Sequence, residues 1–200
     1  MKSSNAFFVG LMIAVLSVLS ISPLWASTFT MDTQHTQIGF KVKHMTIAYV
    51  RGRFDRFQGS FTYDPKDLKA SHAEIRIQAA SIDTGSTARD KDLRSAAFLW
   101  VQKYPWITFT STKVIGSNPQ KFNLLGKLTI HGVTHIVQLH VQLGGQILFN
   151  GKEQIAFHAS TLINRKHYGI IWNKILDNGG FLIGNHVYIT LEVQGYPSGK

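Results

Sequence analysis

Apolar residues recur at every second position along most of this chain, and that period limits what it can fold into. Ile38, Phe40, Val42 and His44 alternate with Gly39, Lys41 and Lys43, and Phe57, Gly59, Phe61 and Tyr63 share one parity. Ala73, Ile75, Ile77 and Ala79 alternate with Glu74, Arg76 and Gln78; Ile107, Phe109 and Ser111 alternate with threonines. Further rows run Phe122–Ile130, Val137–Leu143, Ile155–Ile163 and Val187–Val193. A helix repeats its apolar face about every 3.6 residues, whereas a strand repeats it every two, with successive side chains on opposite faces. The pattern predicts eight strands, each with one buried and one wet face.

Turn signals fall between these rows: Asp64-Pro65-Lys66-Asp67, Gly116-Ser117-Asn118-Pro119, His131-Gly132 and Asn150-Gly151. Two stretches lose the period. Ser86 to Ser95 is polar and opens on capping residues, which suits a short helix between the third and fourth strands. Arg165 to Ile183 is rich in Gly and Asn and reads as a long loop, with room for a helical turn, before the last strand. The fold class expected is all-β, an eight-stranded antiparallel barrel.

A barrel of that size is just wide enough to be filled by its own side chains or to hold one small ligand. Gly59, Ala73, Ala79, Gly126 and Ala159 stand on inward rows and would leave space. They fit a close-packed interior equally well, with glycines where the sheet bends. If a cavity exists its lining is aliphatic and aromatic, so its ligand is a hydrocarbon chain. At about 0.8 kcal/mol per buried methylene, one isoprene unit would contribute roughly 3 kcal/mol.

Residues 1–26 carry a short positive start, an apolar run from Ala6 to Ile21 and a small residue at Ala26. That is the order of a secretory signal, so the mature chain is expected to start at Ser27 and to reach the periplasm. An uncleaved anchor is the alternative, but the apolar run is shorter than the roughly 20 residues a bilayer crossing needs. The remaining 27–200 suit one domain. The chain has no cysteine, which excludes disulfides, thiolate metal sites and a cysteine nucleophile. Its net charge of +10 calls for an anionic partner. The positive residues are thinly spread, so a phospholipid surface or phosphorylated ligand suits an exported chain better than nucleic acid.

No Gly-x-Ser-x-Gly elbow, phosphate loop or inward acid pair marks an enzyme. His131, His135 and His140 cluster in sequence, but strand parity separates them, so metal binding is not expected. His44 ends an inward row, where it would either cap a turn or touch a ligand. Arg165 would tie down the long loop or grip a phosphate. Arg89, Asp90 and Arg94 would line a mouth or pair with one another, and pairing is expected; Tyr104-Pro105-Trp106 is expected to pack in the core and loop rather than contact lipid.

His35–Met45, Val50–Phe54, Phe57–Gly59, Arg89–Ser95 and Lys103–Phe109 together resemble the YceI-like, polyisoprenoid-binding family. Gly126–Thr134, Phe157–Ala159, Ile163–Ile170 and Ile183–Val187 continue the likeness in order along nearly all of 27–200. The resemblance implies a lipocalin-like barrel, a periplasmic protein without enzymatic chemistry or cofactor, and an isoprenoid or fatty lipid along the interior. This chain departs from the family's pattern at Asp92, where His is usual, and at Ala97, Trp100, His167, Asn185 and His186, where acids are usual. The lost carboxylates raise the net charge and bear on the ligand's head group. The residues expected to contact ligand are Phe40, Val42, His44, Phe61, Ile77, Phe109, Leu128, Phe157 and Ala159 on inward rows. Arg165, His167 and Trp172 would join them from the long loop. A monomer or homodimer is expected, with docking on an anionic membrane surface as a further role. The alternative function is an enzyme acting on a periplasmic lipid or phosphate ester.

Overall fold

The structure, a computed structural model, describes residues 27–177 and 179–199; the expected signal peptide and its cleavage point lie outside them. Eleven strands run β1 (Ser27–Met31), β2 (Gln37–His44), β3 (Ala48–Phe54), β4 (Phe57–Tyr63), β5 (His72–Gln78), β6 (Ile82–Asp83), β7 (Trp106–Ile115), β8 (Lys121–Ile130), β9 (Val133–Phe149), β10 (Lys152–Asn164) and β11 (Ile183–Pro197). One helix, α1 (Thr87–Arg94), lies between β6 and β7. Among the described residues no helix is long and apolar enough to cross a membrane.

These eleven segments make eight staves. β1 and β2 lie along the same edge of β11, β1 on its end near Gly195 and β2 on residues 183–192. β4 pairs with β1 while β3 pairs with β2, so β3 and β4 form the next broken stave. β5 pairs with β4 and β6 with β3, completing a third. β7 to β11 then follow in order, each antiparallel to its neighbour, and β11 returns to β1. The all-β, eight-stranded antiparallel barrel read from the period is therefore the observed fold, with the helix and the long loop in the expected places.

Backbone groups at the breaks are satisfied locally, as buried amides require. Thr36 donates its hydroxyl to the Gln194 carbonyl and receives the Gln194 amide, which ties the β1–β2 connection to β11. Where the second and third staves break, the Gln78 amide donates to the Arg56 carbonyl and the Ser81 hydroxyl donates to the Gln78 carbonyl.

Helix α1 begins where the sequence places it. Ser86 accepts the Arg89 amide as N-cap, and the Ser95 amide donates back to the Asp92 carbonyl. Asp90 is buried and accepts both the amide and the hydroxyl of Thr84. Arg89 donates to Thr84 and Arg94 to the carbonyls of Ala80 and Ile82. The expected mutual pairing of Arg89, Asp90 and Arg94 is thus replaced by separate bonds that pin α1 to the strand before it, because loop carbonyls and Thr84 are nearer than the helix's own charges. Trp106 also differs from expectation. It faces outward beneath the Arg76 guanidinium, 4.6 Å from the ring centre, whereas Tyr104 packs edge-on against Trp100 and His131.

Candidate ligand-binding cavity

The interior divides into two halves. The lower half lies toward β1, the β9–β10 turn and the end of β11. Phe29 stacks on Phe61 at 5.3 Å, and Phe157 meets Phe61, Tyr63 and Phe122 edge-on. The Tyr63 hydroxyl donates to the Pro119 carbonyl, so this buried phenol is satisfied. Only about 70 Å³ remains open among these rings.

The upper half is hollow. A cavity of about 510 Å³ runs beneath α1, the β2–β3 turn and the long loop, within the roughly 300–1,000 Å³ range of sites that bury a small ligand. Its wall comes from inward rows of β2, β5, β7, β8, β10 and β11, and Ile38, Phe40, Val42 and His44 line it together. Lys43, Arg89, Asp92 and Trp172 line it and are also exposed, which places the mouth at this end, between α1 and the long loop.

Of the residues expected to touch ligand, Phe40, Val42, His44, Ile77, Phe109, Leu128, Arg165 and Trp172 line the upper cavity. Phe61, Phe157 and Ala159 line the small lower one, with Phe109 shared between the two. His167 lines neither. It is exposed on the outside, its ring 5.9 Å from that of His135 and its carbonyl against the His135 Nε2. Its place in a short 3-10 turn, Arg165–Tyr168, directs it away from the interior while Arg165 and Tyr168 turn in. Sequence reasoning missed Leu93, Phe98 and Leu99 from α1 and the segment after it, which roof the cavity. The short apolar run after the helix was the available signal.

The small residues do not mark the open space. A β-carbon on Gly126 would overlap the Phe109 ring, and one on Gly52 would meet the Phe40 ring. These glycines make room for neighbouring aromatics, and the Phe40 and Phe109 rings seated over them form part of the cavity wall.

Arg165 is only 4 % exposed. Its guanidinium donates to the carbonyls of Gly184 at 3.0 Å, Ile170 at 2.8 Å and Trp172 at 2.8 Å, with a longer contact to Ile183. Two of these bonds end on long-loop carbonyls, Ile170 and Trp172, and two on the start of β11, so this side chain ties the loop to the barrel. Burial pulls its pKa below the ordinary guanidinium value. Asn173 adds a second tie, exchanging bonds with the Ile183 amide and carbonyl. The Tyr168 hydroxyl is buried without a partner, and desolvation pushes its pKa up to about 12. His131, His135 and His140 bond separately, to the Tyr168 carbonyl, the His167 carbonyl and Asn123. Among the described residues no group of three metal-ligating side chains converges.

The model of the YceI-like domain matches residues 29–195. The chain belongs to the YceI-like family. A UPF0312 protein of Vibrio cholerae is 34% identical over 149 residues, which cover 72% of this chain and 78% of that protein. The YCEI protein of Campylobacter jejuni is 29% identical, with a TM-score of 0.68 over 84% of this chain and 96% of that one. A polyisoprenoid binding domain from Saccharophagus degradans, at 16% identity and a TM-score of 0.60, covers 86% of this chain and 99% of its own and shares the fold.

Proposed function

We propose that this YceI-like protein is an exported, periplasmic lipid-binding protein that holds one long apolar chain of the polyisoprenoid kind in the upper half of its barrel. The observation that carries this reading is the 510 Å³ cavity, walled almost wholly by aliphatic and aromatic side chains and open at one end. A hydrocarbon placed there replaces water on every side, and the gain grows with each methylene buried. The lower aromatic cluster sets the depth to which a chain enters, so any polar head stays at the mouth among Lys43, His44, Arg89 and Asp92. The polyisoprenoid binding domain from Saccharophagus degradans, which shares the fold, supports the ligand class. Transport, storage or sequestration would each use such a site, with loading from an anionic membrane surface. No catalytic step is assigned, because the buried cation beside the cavity is committed to backbone carbonyls.

Organic extraction of protein purified from the periplasm, followed by mass spectrometry, tests the reading directly. A prenyl lipid in stoichiometric amount is the expected result. Lipid-free extracts together with no saturable binding of a fluorescent prenyl probe would exclude it.

A further inference from the structure

Around the mouth, two segments far apart in sequence bring large apolar side chains to the outside. Met45 and Ile47 form the tip of the β2–β3 turn, with Ile47 85% exposed. Ile171, Trp172, Ile175 and Phe181 come from the long loop, where Ile171 and Ile175 are 69% and 70% exposed. Isolated surface hydrophobics need no explanation, but a contiguous group marks a contact surface. These are contiguous by backbone bonding. The Met45 amide donates to the Leu182 carbonyl, the Leu182 amide donates to Lys174, and Ile175 bridges Phe181. The result is a fringe of β2, the 181–183 arm and the 173–175 arm, fastened beneath by Asn173 and Arg165.

The charge around this fringe has one dominant sign. Lys43, Arg89, Lys91, Lys166 and Lys174 are exposed there, against exposed Asp92 and Asp177. Lys166 lies over the Phe181 ring. Apolar tips inside a cationic collar match a surface with anionic groups above a hydrocarbon interior. We infer that the β2–β3 tip, with Ile171–Ile175 and Phe181–Leu182 of the long loop, is the surface by which the protein docks on an anionic lipid bilayer, mouth first. The inference rests on the proposed lipid cavity for its purpose, since a chain leaving the bilayer would enter the mouth without crossing water. The docking is testable apart from it. The opposite end of the barrel supplies a control: Ile147, Leu148 and Phe149 are exposed on the β9–β10 hairpin, remote from the mouth.

Sedimentation of the purified protein with phosphatidylglycerol-containing vesicles, against pure phosphatidylcholine vesicles, reads the docking. The expected result is binding to the anionic vesicles that weakens with added salt. Ile47→Asp/Ile175→Asp should weaken it about tenfold or more, while Leu148→Asp leaves it unchanged. Neither isoleucine lines the cavity, so a fluorescent farnesyl probe added without vesicles should bind the rim variant normally, and its melting temperature should be kept. Wild-type protein that binds the probe but no anionic vesicle would overturn the docking and leave the carrier reading standing. So would loss of vesicle binding with Leu148→Asp instead of the rim pair. Vesicle binding through the rim without probe binding would support the docking and count against the cavity's proposed ligand.

Discussion

The ring of Phe109 on β7 occupies the space where a side chain at Gly126 on β8 would stand. The two strands place Gly126 opposite Ser111, two residues along from Phe109, and the ring leans across the gap. The missing β-carbon is thus part of the packing of the wall, and the carbonyl of Thr110, only 2.8 Å from the ideal β-carbon position, cannot swing aside as a side chain could. Gly126→Ala should cost about 1–3 kcal/mol by overpacking. It should also push the Phe109 ring toward the cavity it lines and weaken prenyl binding. Thermal melting and probe titration measure the two effects, and an unchanged melting temperature would show that the wall is softer than its geometry implies.

Position decides what a larger side chain does inside this barrel. Ala159 borders only the small lower cavity among the aromatic rings, so Ala159→Phe should lower the melting temperature by an overpacking cost of about 1–3 kcal/mol. Val42 faces the large cavity. Val42→Phe should leave delipidated protein as stable as the parent while reducing the affinity for a prenyl probe. If Ala159→Phe abolishes binding without destabilising, and Val42→Phe does the reverse, the ligand occupies the lower half.

The stave count was legible because each stretch the alternation missed continues a stave it had found. β3 shows only Val50, Gly52 and Phe54 on its inner face, each next to an arginine, so it carries little apolar contrast; yet it is collinear with β4. The far end of β9 has no buried face at all, since Ile147, Leu148 and Phe149 are exposed, and no period-two signal could mark it. The inward rows of β2, β5, β7 and β8 were readable as cavity wall for the same reason. What could not be read was which half of the barrel stays hollow. That depends on which aromatic side chains inter-strand register gathers into one cluster, here Phe29, Phe61, Tyr63, Phe122 and Phe157 in the lower half. His167 was misplaced because the strand period ends at Asn164 and a 3-10 turn follows.

Arg165 predicts the behaviour of the long loop. Arg165→Met removes the donor to three well-formed carbonyl bonds, and buried acceptors left unpaired cost on the order of 1–3 kcal/mol each, against which the relief of a buried charge is set. The expected outcome is a lower melting temperature and new proteolytic cleavage between 169 and 182 while the barrel resists digestion. A variant that melts like the parent with an intact loop would mean that Asn173 and the backbone hold the segment alone.

Tyr168 gives a pH dependence whose sign follows from burial. Its side chain is almost wholly buried, its hydroxyl has no partner, and its folded pKa is raised from 10.0 to about 12 by desolvation. A raised folded pKa means that the unfolded chain loses this proton first as pH rises. The neutral phenol's contribution is fully present below pH 10 and is lost progressively between 10 and 12, an amount on the order of 2–3 kcal/mol. Tyr168→Phe removes both the titration and an unpaired buried hydroxyl. At pH 7 the variant should be as stable as the parent or more so, because a polar atom without a partner is taken out of an apolar site. Above pH 10 the gap should widen in the variant's favour. Tyr63, also raised by burial, titrates in both proteins and cancels in the difference. Melting curves of the pair from pH 7 to 11.5 decide the matter. Parallel losses in the two would show that the hydroxyl is solvated, and a less stable variant at pH 7 would show that it has a partner, most simply a buried water.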